Sequence, residues 1–318
     1  MILPLGSLSG RLSSAQESLV CILKMKNSIS YPVAVIDVGS NSVRLMTDTG
    51  SLKRKYLITT RLAEGKIENR LANASILRTV NAVALFFEKA IKEGCKSVFI
   101  FATAAVRNSE NGIDFVSAVK KLTGVDVHVV SGDLEAELAV LGALKGVSGG
   151  IIDVGGASTE VAFNEGGQTV YSVSYKVGAV SLFCDFSRER DKIKGYLSST
   201  IKGVRRLFKG DFYAIGGTVT TLASIDLNLK EYQPNKIDGH YLSLDRIIKI
   251  SNELFSLTPN EIAVRYPTAK SRADVISGGA EILVSVLSAY GINGVLVSES
   301  DNLEGYLEYL LKNEEKQD

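Results

Sequence analysis

One turn occurs twice in this chain, and its repetition constrains the fold more than any other feature. Asp37-Val-Gly-Ser-Asn-Ser-Val closes the mostly β-branched run Val33–Asp37, and Asp153-Val-Gly-Gly-Ala-Ser-Thr closes the apolar run Gly150–Asp153. In each copy a second strand starts at once, which is the pattern of a hairpin. The segments that follow keep the same order. After the first turn we read strands at Val43–Asp48 and Lys55–Thr60 and an amphipathic helix over Ala72–Glu93. A strand at Ser97–Ala102, a helix at Ile113–Leu122, a strand at Asp126–Val130 and a helix at Leu134–Leu144 complete the first half. After the second turn come strands at Thr159–Phe163 and Thr169–Tyr175, a helix over Leu197–Phe208 and a strand at Phe212–Ile215. A helix beginning within Val219–Ser224, a long helix over Ala273–Tyr290, a strand at Gly294–Val297 and a helix at Leu303–Leu311 finish the chain. Ala102-Thr-Ala-Ala-Val answers Ala214-Ile-Gly-Gly-Thr, and Val130-Ser131 answers Val297-Ser298, each of the latter two followed by acids. A unit present twice implies an α/β protein of two lobes with a cleft between them. The lobes are expected at 31–148 and 149–300, the second carrying an insertion around 225–272. Residues 301–318 are expected to form a helix that packs back on the first lobe.

At 318 residues and 45% hydrophobic content, the chain can bury two ordinary cores. Its 36 basic and 35 acidic residues leave a net charge of +1, so no global field draws it to nucleic acid or a membrane surface. Anion recognition must then be local. Cys21, Cys95 and Cys184 fit neither a disulfide framework nor a metal knuckle, and point to a reducing, cytoplasmic setting. No apolar run is long enough to span a bilayer. Residues 1–30 read as a weakly ordered leader or a short added helix. They lack the basic start of a signal peptide, and Met25 is an alternative first residue.

The repeated turn suggests chemistry. Gly39, Gly155 and Gly156 let backbone amides converge, and Ser40, Asn41, Ser42, Ala157 and Ser158 surround them with short side chains; such a concavity binds phosphate oxygens. Asp37 and Asp153, at the strand ends, can reach a hard cation. Alone, either turn is most simply a hairpin; two on facing lobes make a pair of phosphate clamps. Gly216-Gly217-Thr218 opens a helix after a strand, a place for another phosphate or a plain strand-to-helix turn. The basic run Lys192, Lys194, Lys202, Arg205, Arg206 and Lys209 reads as a solvated helix face rather than an anion track. Neither His128 nor His240 has a sequence neighbour that suggests metal binding or acid–base work.

Taken together, these motifs resemble the Ppx/GppA phosphatases. The resemblance rests on Asp37-Val-Gly-Ser-Asn-Ser-Val-Arg-Leu, Arg61-Leu-Ala-Glu-Gly, Ala102-Thr-Ala-Ala-Val-Arg107-Asn and Ser131-Gly-Asp-Leu-Glu135-Ala. It continues through Asp153-Val-Gly-Gly-Ala-Ser-Thr-Glu160, Val177-Gly-Ala-Val180, Ala214-Ile-Gly-Gly-Thr218 and Arg272-Ala-Asp274-Val-Ile, in order over about residues 33–310. It implies a duplicated actin-like (ASKHA, ribonuclease H-like) fold in its short two-domain form. It also implies Mg²⁺-dependent hydrolysis of the terminal phosphoanhydride of inorganic polyphosphate, or of the 5′ phosphate of pppGpp. Carried over residue by residue, Glu135 is the base that activates water, against the simpler reading of a helix-start carboxylate. Arg107 neutralises the transferred phosphoryl group, against an ion pair with Glu110. Arg61 is a phosphate ligand. Asp37 and Asp153 hold Mg²⁺, with Glu160 as a further metal or water contact or an amide cap.

Two positions depart from the pattern. Ala157 stands where a third glycine is usual, and Asp301-Asn-Leu-Glu-Gly305 replaces a Gly-Leu-Arg-Glu-Gly motif, losing an arginine and adding negative charge near the cleft. A kinase or ATPase on the same fold would use an aspartate base, which Glu135 argues against. A nucleotide-binding sensor of weak catalytic power is the alternative from another class. A homodimer would lengthen the short track that two lobes offer a polymer.

Overall fold

The computed structural model describes residues 29–204 and 210–314. The leader reading of residues 1–28, and Arg205, Arg206 and Lys209 of the basic run, lie outside the described residues.

β1 (Val33–Val38) is buried along its whole length because it lies inside the first sheet. It pairs antiparallel with β2 (Ser42–Asp48), which pairs with β3 (Lys53–Thr59). After α1 (Asn73–Lys92), β4 (Ser97–Ala102) returns parallel on the other side of β1. Short α2 (Ala104–Arg107), α3 (Gly112–Thr123), edge strand β5 (Val127–Val129) and α4 (Gly132–Leu144) follow, giving the sheet order β3-β2-β1-β4-β5. The second sheet repeats the plan. β6 (Gly149–Val154), β7 (Thr159–Glu165) and β8 (Gln168–Tyr175) form the antiparallel run, and α5 (Ala179–Phe186) and α6 (Arg190–Thr200) lead to β9 (Phe212–Ile215), parallel to β6. Next come α7 (Gly216–Asp226), α8 (Pro234–Ile237), β10 (Tyr241–Ser243), α9 (Leu244–Ser256), α10 (Pro259–Arg265) and a 3₁₀ turn (Pro267–Arg272). The chain closes with α11 (Ile276–Tyr290), β11 (Gly294–Val297) and α12 (Asn302–Glu314). The order β8-β7-β6-β9-β11-β10 matches the first sheet with one added edge strand, β10, supplied by the insertion. This is the duplicated actin-like α/β fold.

α4 holds the two halves together. Beyond its acidic first turn it is mostly apolar and buried, with Glu137 left exposed. Ala136, Ala139, Val140 and Leu144 pack on Ile151, Ala162 and Ile215 of the second sheet. Leu138 instead joins Leu303, Tyr306 and Leu307 of α12 above Val33, Val35, Met46 and Phe101 of the first sheet. The Tyr306 ring stacks on Phe101 with centroids 4.5 Å apart, and its hydroxyl meets His128 Nδ1 at 3.0 Å. The last helix of the chain thus closes the first lobe.

Two helices depart from the sequence reading. Of the segment expected to be helical over Leu197–Phe208, residues 205–208 lie outside the described residues; the described helix runs over Arg190–Thr200 and ends before Gly203, which passes directly against Ala289. A Cβ on Gly203 would lie 1.9 Å from that residue's carbonyl oxygen, so the chain must leave the helix to fit there. The helix expected from Ala273 starts at Ile276, because Pro267 first sets a 3₁₀ turn.

α4 and α12 cross with their backbones in contact. A Cβ on Gly142 would sit 2.0 Å from the Asp301 carbonyl oxygen, and one on Gly305 1.9 Å from that of Leu138. Neither obstacle is a side chain that can turn away. Gly305→Ala should therefore destabilise the protein by about 3 kcal/mol or more, at the upper end of overpacking costs, read as a loss in urea midpoint.

Candidate active site

The two repeated turns meet. A Cβ on Gly156 would lie 2.7 Å from the Ser40 Cβ, so only a residue without a side chain lets the turns approach this closely. Each turn is set by one tight bond, Gly39 N–H to Ser42 O and Gly155 N–H to Ser158 O, both at 3.0 Å. The second turn is clamped from behind by the start of α5. There Ala179 N–H donates to Gly155 O, and Val180 and Ser181 N–H donate to Gly156 O. The carbonyls being taken, the amides are left over. Those of Ser40, Asn41, Gly156 and Ala157 find no acceptor among the described residues, and all four residues line one pocket between the lobes. Ala157 in place of glycine does not displace its turn from that pocket.

Gly39, Ser42, Gly155, Ser158 and the first two residues of α7, Gly216 and Gly217, complete the polar wall. The opening N–H groups of a helix have no intrahelical acceptor, so α7 adds donors of the same kind. Arg272 lies against Gly217 so closely that a Cβ there would fall 2.0 Å from its Nη2. Burial and the nearby Arg44 pull the Arg272 pKa down to about 10.

The carboxylates converge on this pocket from both lobes. Asp37 and Asp153 end equivalent strands and are 4% and 7% exposed. Glu135 enters from the first turn of α4, whose start is fixed by Ser131, its hydroxyl accepting from Leu134 N–H at 3.1 Å. Arg107 Nη1 donates to Glu135 Oε2 at 3.0 Å and to Val130 O at 2.7 Å. The Arg107 charge is therefore spent on Glu135, not on Glu110, which pairs with Arg70. Burial pushes the Glu135 carboxyl up to about 7, with Arg107 opposing and Asp37 reinforcing the shift. Burial, and then the charge of Glu135, likewise push Asp153 up to about 7. Burial raises Asp37 too, against the pull of Arg44.

Four expected site residues do not line the pocket. Arg61 turns to Asp274, 2.7 Å away, and serves the first turn through its amide, which donates to Asn41 O at 2.8 Å. Thr218 is buried with its hydroxyl on Val154 O at 3.0 Å. Arg107 stands behind Glu135. Glu160 is 1% exposed, its Oε1 accepting from Ser174 at 2.6 Å and its Oε2 without a partner among the described residues. Burial and the charges of Glu135 and Asp153 hold its carboxyl well above the usual range.

Three contributors had no assigned role in the sequence. Arg44 faces Asp37 from the neighbouring strand, with Nε to Oδ2 at 2.9 Å, and Arg272 lines the opposite lobe; both stand inside motifs already noted. Asn302 stands inside the altered Asp301-Asn-Leu-Glu-Gly305 segment and reaches Asp153 from the far end of the chain, Nδ2 to Oδ2 at 2.9 Å.

Among the described residues, no three or more acidic, histidine or cysteine side chains are gathered into a ready-made metal cluster. Asp37 Oδ1 and Glu160 Oε2 are nonetheless buried oxygens without a hydrogen-bond donor. That suits an ion held by one or two carboxylates and completed by water and phosphate, as Mg²⁺ prefers, and not a protein cage of Asp37, Asp153 and Glu160.

Acids whose pKa is raised on folding hold protons that the unfolded chain releases. Between about pH 4 and 7 Glu135 and Asp153 bind more protons in the folded state, so their contribution to stability is greatest at the acid end and falls as pH rises toward 7. Glu160→Gln removes one such acid while keeping the Ser174 bond. It should raise stability near pH 8, where the unfolded chain releases the proton that burial makes the folded acid keep. Near pH 4 the gain should vanish; calorimetric melting at the two pH values measures the difference.

With this geometry in hand, the chain can be set beside known proteins. The model of the Ppx/GppA phosphatase family matches residues 33–314. The exopolyphosphatase 2 of Mycobacterium tuberculosis is 28% identical over 86% of this chain and 96% of its own length. The bifunctional 3-dehydroquinate synthase/phosphatase of Fusobacterium nucleatum is 28% identical over 94% of this chain, which spans only 49% of that relative. The crystal structure of the Aquifex aeolicus member of the Ppx/GppA family superposes with a TM-score of 0.71 at 26% identity, covering 88% of this chain and 98% of that one. The chain belongs to the Ppx/GppA phosphatase family.

Proposed function

We propose that the protein is a phosphoanhydride hydrolase that removes the terminal phosphate of inorganic polyphosphate with Mg²⁺. One observation carries the reading: a buried carboxylate, Glu135, reaches a pocket walled by unpaired amides from two facing turns. Arg107 holds Glu135 Oε2, while Oε1 has no partner among the described residues. That oxygen accepts a proton from water as the water attacks the terminal phosphorus in line, and the anhydride oxygen departs on the far side. A base poised near pH 7 suits the task, and burial supplies that shift. The amides of Ser40, Asn41, Gly156 and Ala157, with Arg272, receive the phosphate oxygens and stabilise the charge that gathers on them.

The pocket itself is not basic: Asp37, Glu135 and Asp153 outnumber Arg44 and Arg272. Mg²⁺, held by Asp37 with Asp153 or Glu160, supplies the missing positive charge when bound. Polyphosphate as substrate is supported by the Mycobacterium relative, named an exopolyphosphatase, which matches along nearly its whole length. A track along α6 is not part of the argument, since Lys192 pairs with Glu189 at 2.7 Å and Lys194 approaches Glu281. The two described cysteines are free thiols, which agrees with a cytoplasmic setting. A homodimer belongs to the same reading, as a way to lengthen the site for a polymer.

Phosphate release from long-chain polyphosphate, pppGpp and ATP, measured in parallel with Mg²⁺, tests the proposal. Release from polyphosphate should fall by about 10³-fold or more in Glu135→Ala, the range for a lost general base combined with a disturbed site. Release from pppGpp alone would keep the mechanism and change the substrate. Tight nucleotide binding without turnover by folded wild-type protein would replace the hydrolase with a sensor.

A further inference from the structure

The junction between β11 and α12 brings Asn302 to the wall of the pocket and sets Asp301 behind it, against Arg44. Asn302 turns to Asp153. Asp301 turns the other way, its Oδ2 accepting from Arg44 Nη1 and its Oδ1 from Leu303 N–H at 3.0 Å. Arg44 consequently has Nε and Nη2 committed to Asp37 and Nη1 committed to Asp301. Of the two guanidiniums that line the pocket, only Arg272 has no carboxylate partner among the described residues.

The Asp301 carboxylate is fixed in place. The residue is 7% exposed, and Lys55 Nζ stands 3.8 Å from Oδ1 while bonding Glu299 O at 2.6 Å and Glu304 at 2.8 Å. Its charge is poorly screened by water and cannot swing away. Carboxylate and phosphate seek the same fork of a guanidinium, so a phosphate oxygen approaching Arg44 meets an anion already seated there. We propose that Asp301 is a specificity-determining residue: a built-in competitor for Arg44 that weakens the pocket's hold on the phosphate groups of highly charged chains. Each added phosphate charge sharpens the conflict, so the residue loosens the hold on a polyphosphate chain more than the hold on a single phosphate. The inference rests on the phosphate-binding reading of the pocket given above.

Asp301→Asn and Asp301→Ser both keep an acceptor for the Leu303 amide while removing the charge. Their thermal midpoints identify any loss of folding. Calorimetric binding of tripolyphosphate and of inorganic phosphate, each with Mg²⁺, is then compared with wild type. Tripolyphosphate should bind about tenfold tighter in both variants, as for removal of one apposed like charge, with a smaller gain for inorganic phosphate. Unchanged or weaker tripolyphosphate binding in the folded variants overturns the role of Asp301 and leaves the pocket reading intact. Wild-type protein that binds neither ligand overturns both.

Discussion

Acidic groups from two lobes are buried along one seam, and the remaining architecture accommodates that burial. Asp37, Glu135, Asp153 and Glu160 are each less than a tenth exposed. Carboxylates taken out of water beside one another resist ionisation, which is why burial is the leading cause of every upward shift among them. Arg107 and Arg44 offset part of the cost, one behind Glu135 and one across from Asp37. Stability alone gives no reason to collect such groups; the proposed reaction, in which a cation and a phosphate chain would lie between the lobes, gives one.

The same seam explains why the lobes are joined as they are. α4 belongs to the first lobe, packs on the second sheet and carries Glu135 in its first turn. Its opposite side meets α12 at a backbone contact allowed by Gly142 and Gly305. The junction that starts α12 sends Asn302 to Asp153 and Asp301 to Arg44. Glu135, both strand-end aspartates and Arg44 are thus tied to elements that cross between the halves. Any relative movement of the lobes would be felt at the pocket.

Much of this was legible in the sequence because the decisive signals are local. Strand, turn, strand and the apolar spacing of α1 are written in consecutive residues, and the repeat multiplied their weight. The helix read from Leu134 starts at Gly132, capped by Ser131. What stayed hidden depends on distant partners. Nothing near Gly203 tells that Ala289 forces the chain out of a helix there. Arg61 looks like a phosphate ligand until Asp274, far along the chain, claims its guanidinium. Asn302 and Asp301 read as a damaged motif, and only the fold reveals that they contact Asp153 and Arg44.

The proposed mechanism requires Glu135 to act as a base whose protonation is set by its burial. The most direct measurement is kcat/KM for terminal phosphate release as a function of pH, for wild type and Glu135→Gln, since that ratio reports the groups of the free enzyme. The account predicts an acidic limb with an apparent pKa near 7 in the wild type, with activity rising as the carboxyl loses its proton, and no comparable activity in the variant at any pH. A Glu135→Gln protein that keeps the wild-type rate and the same limb would contradict it.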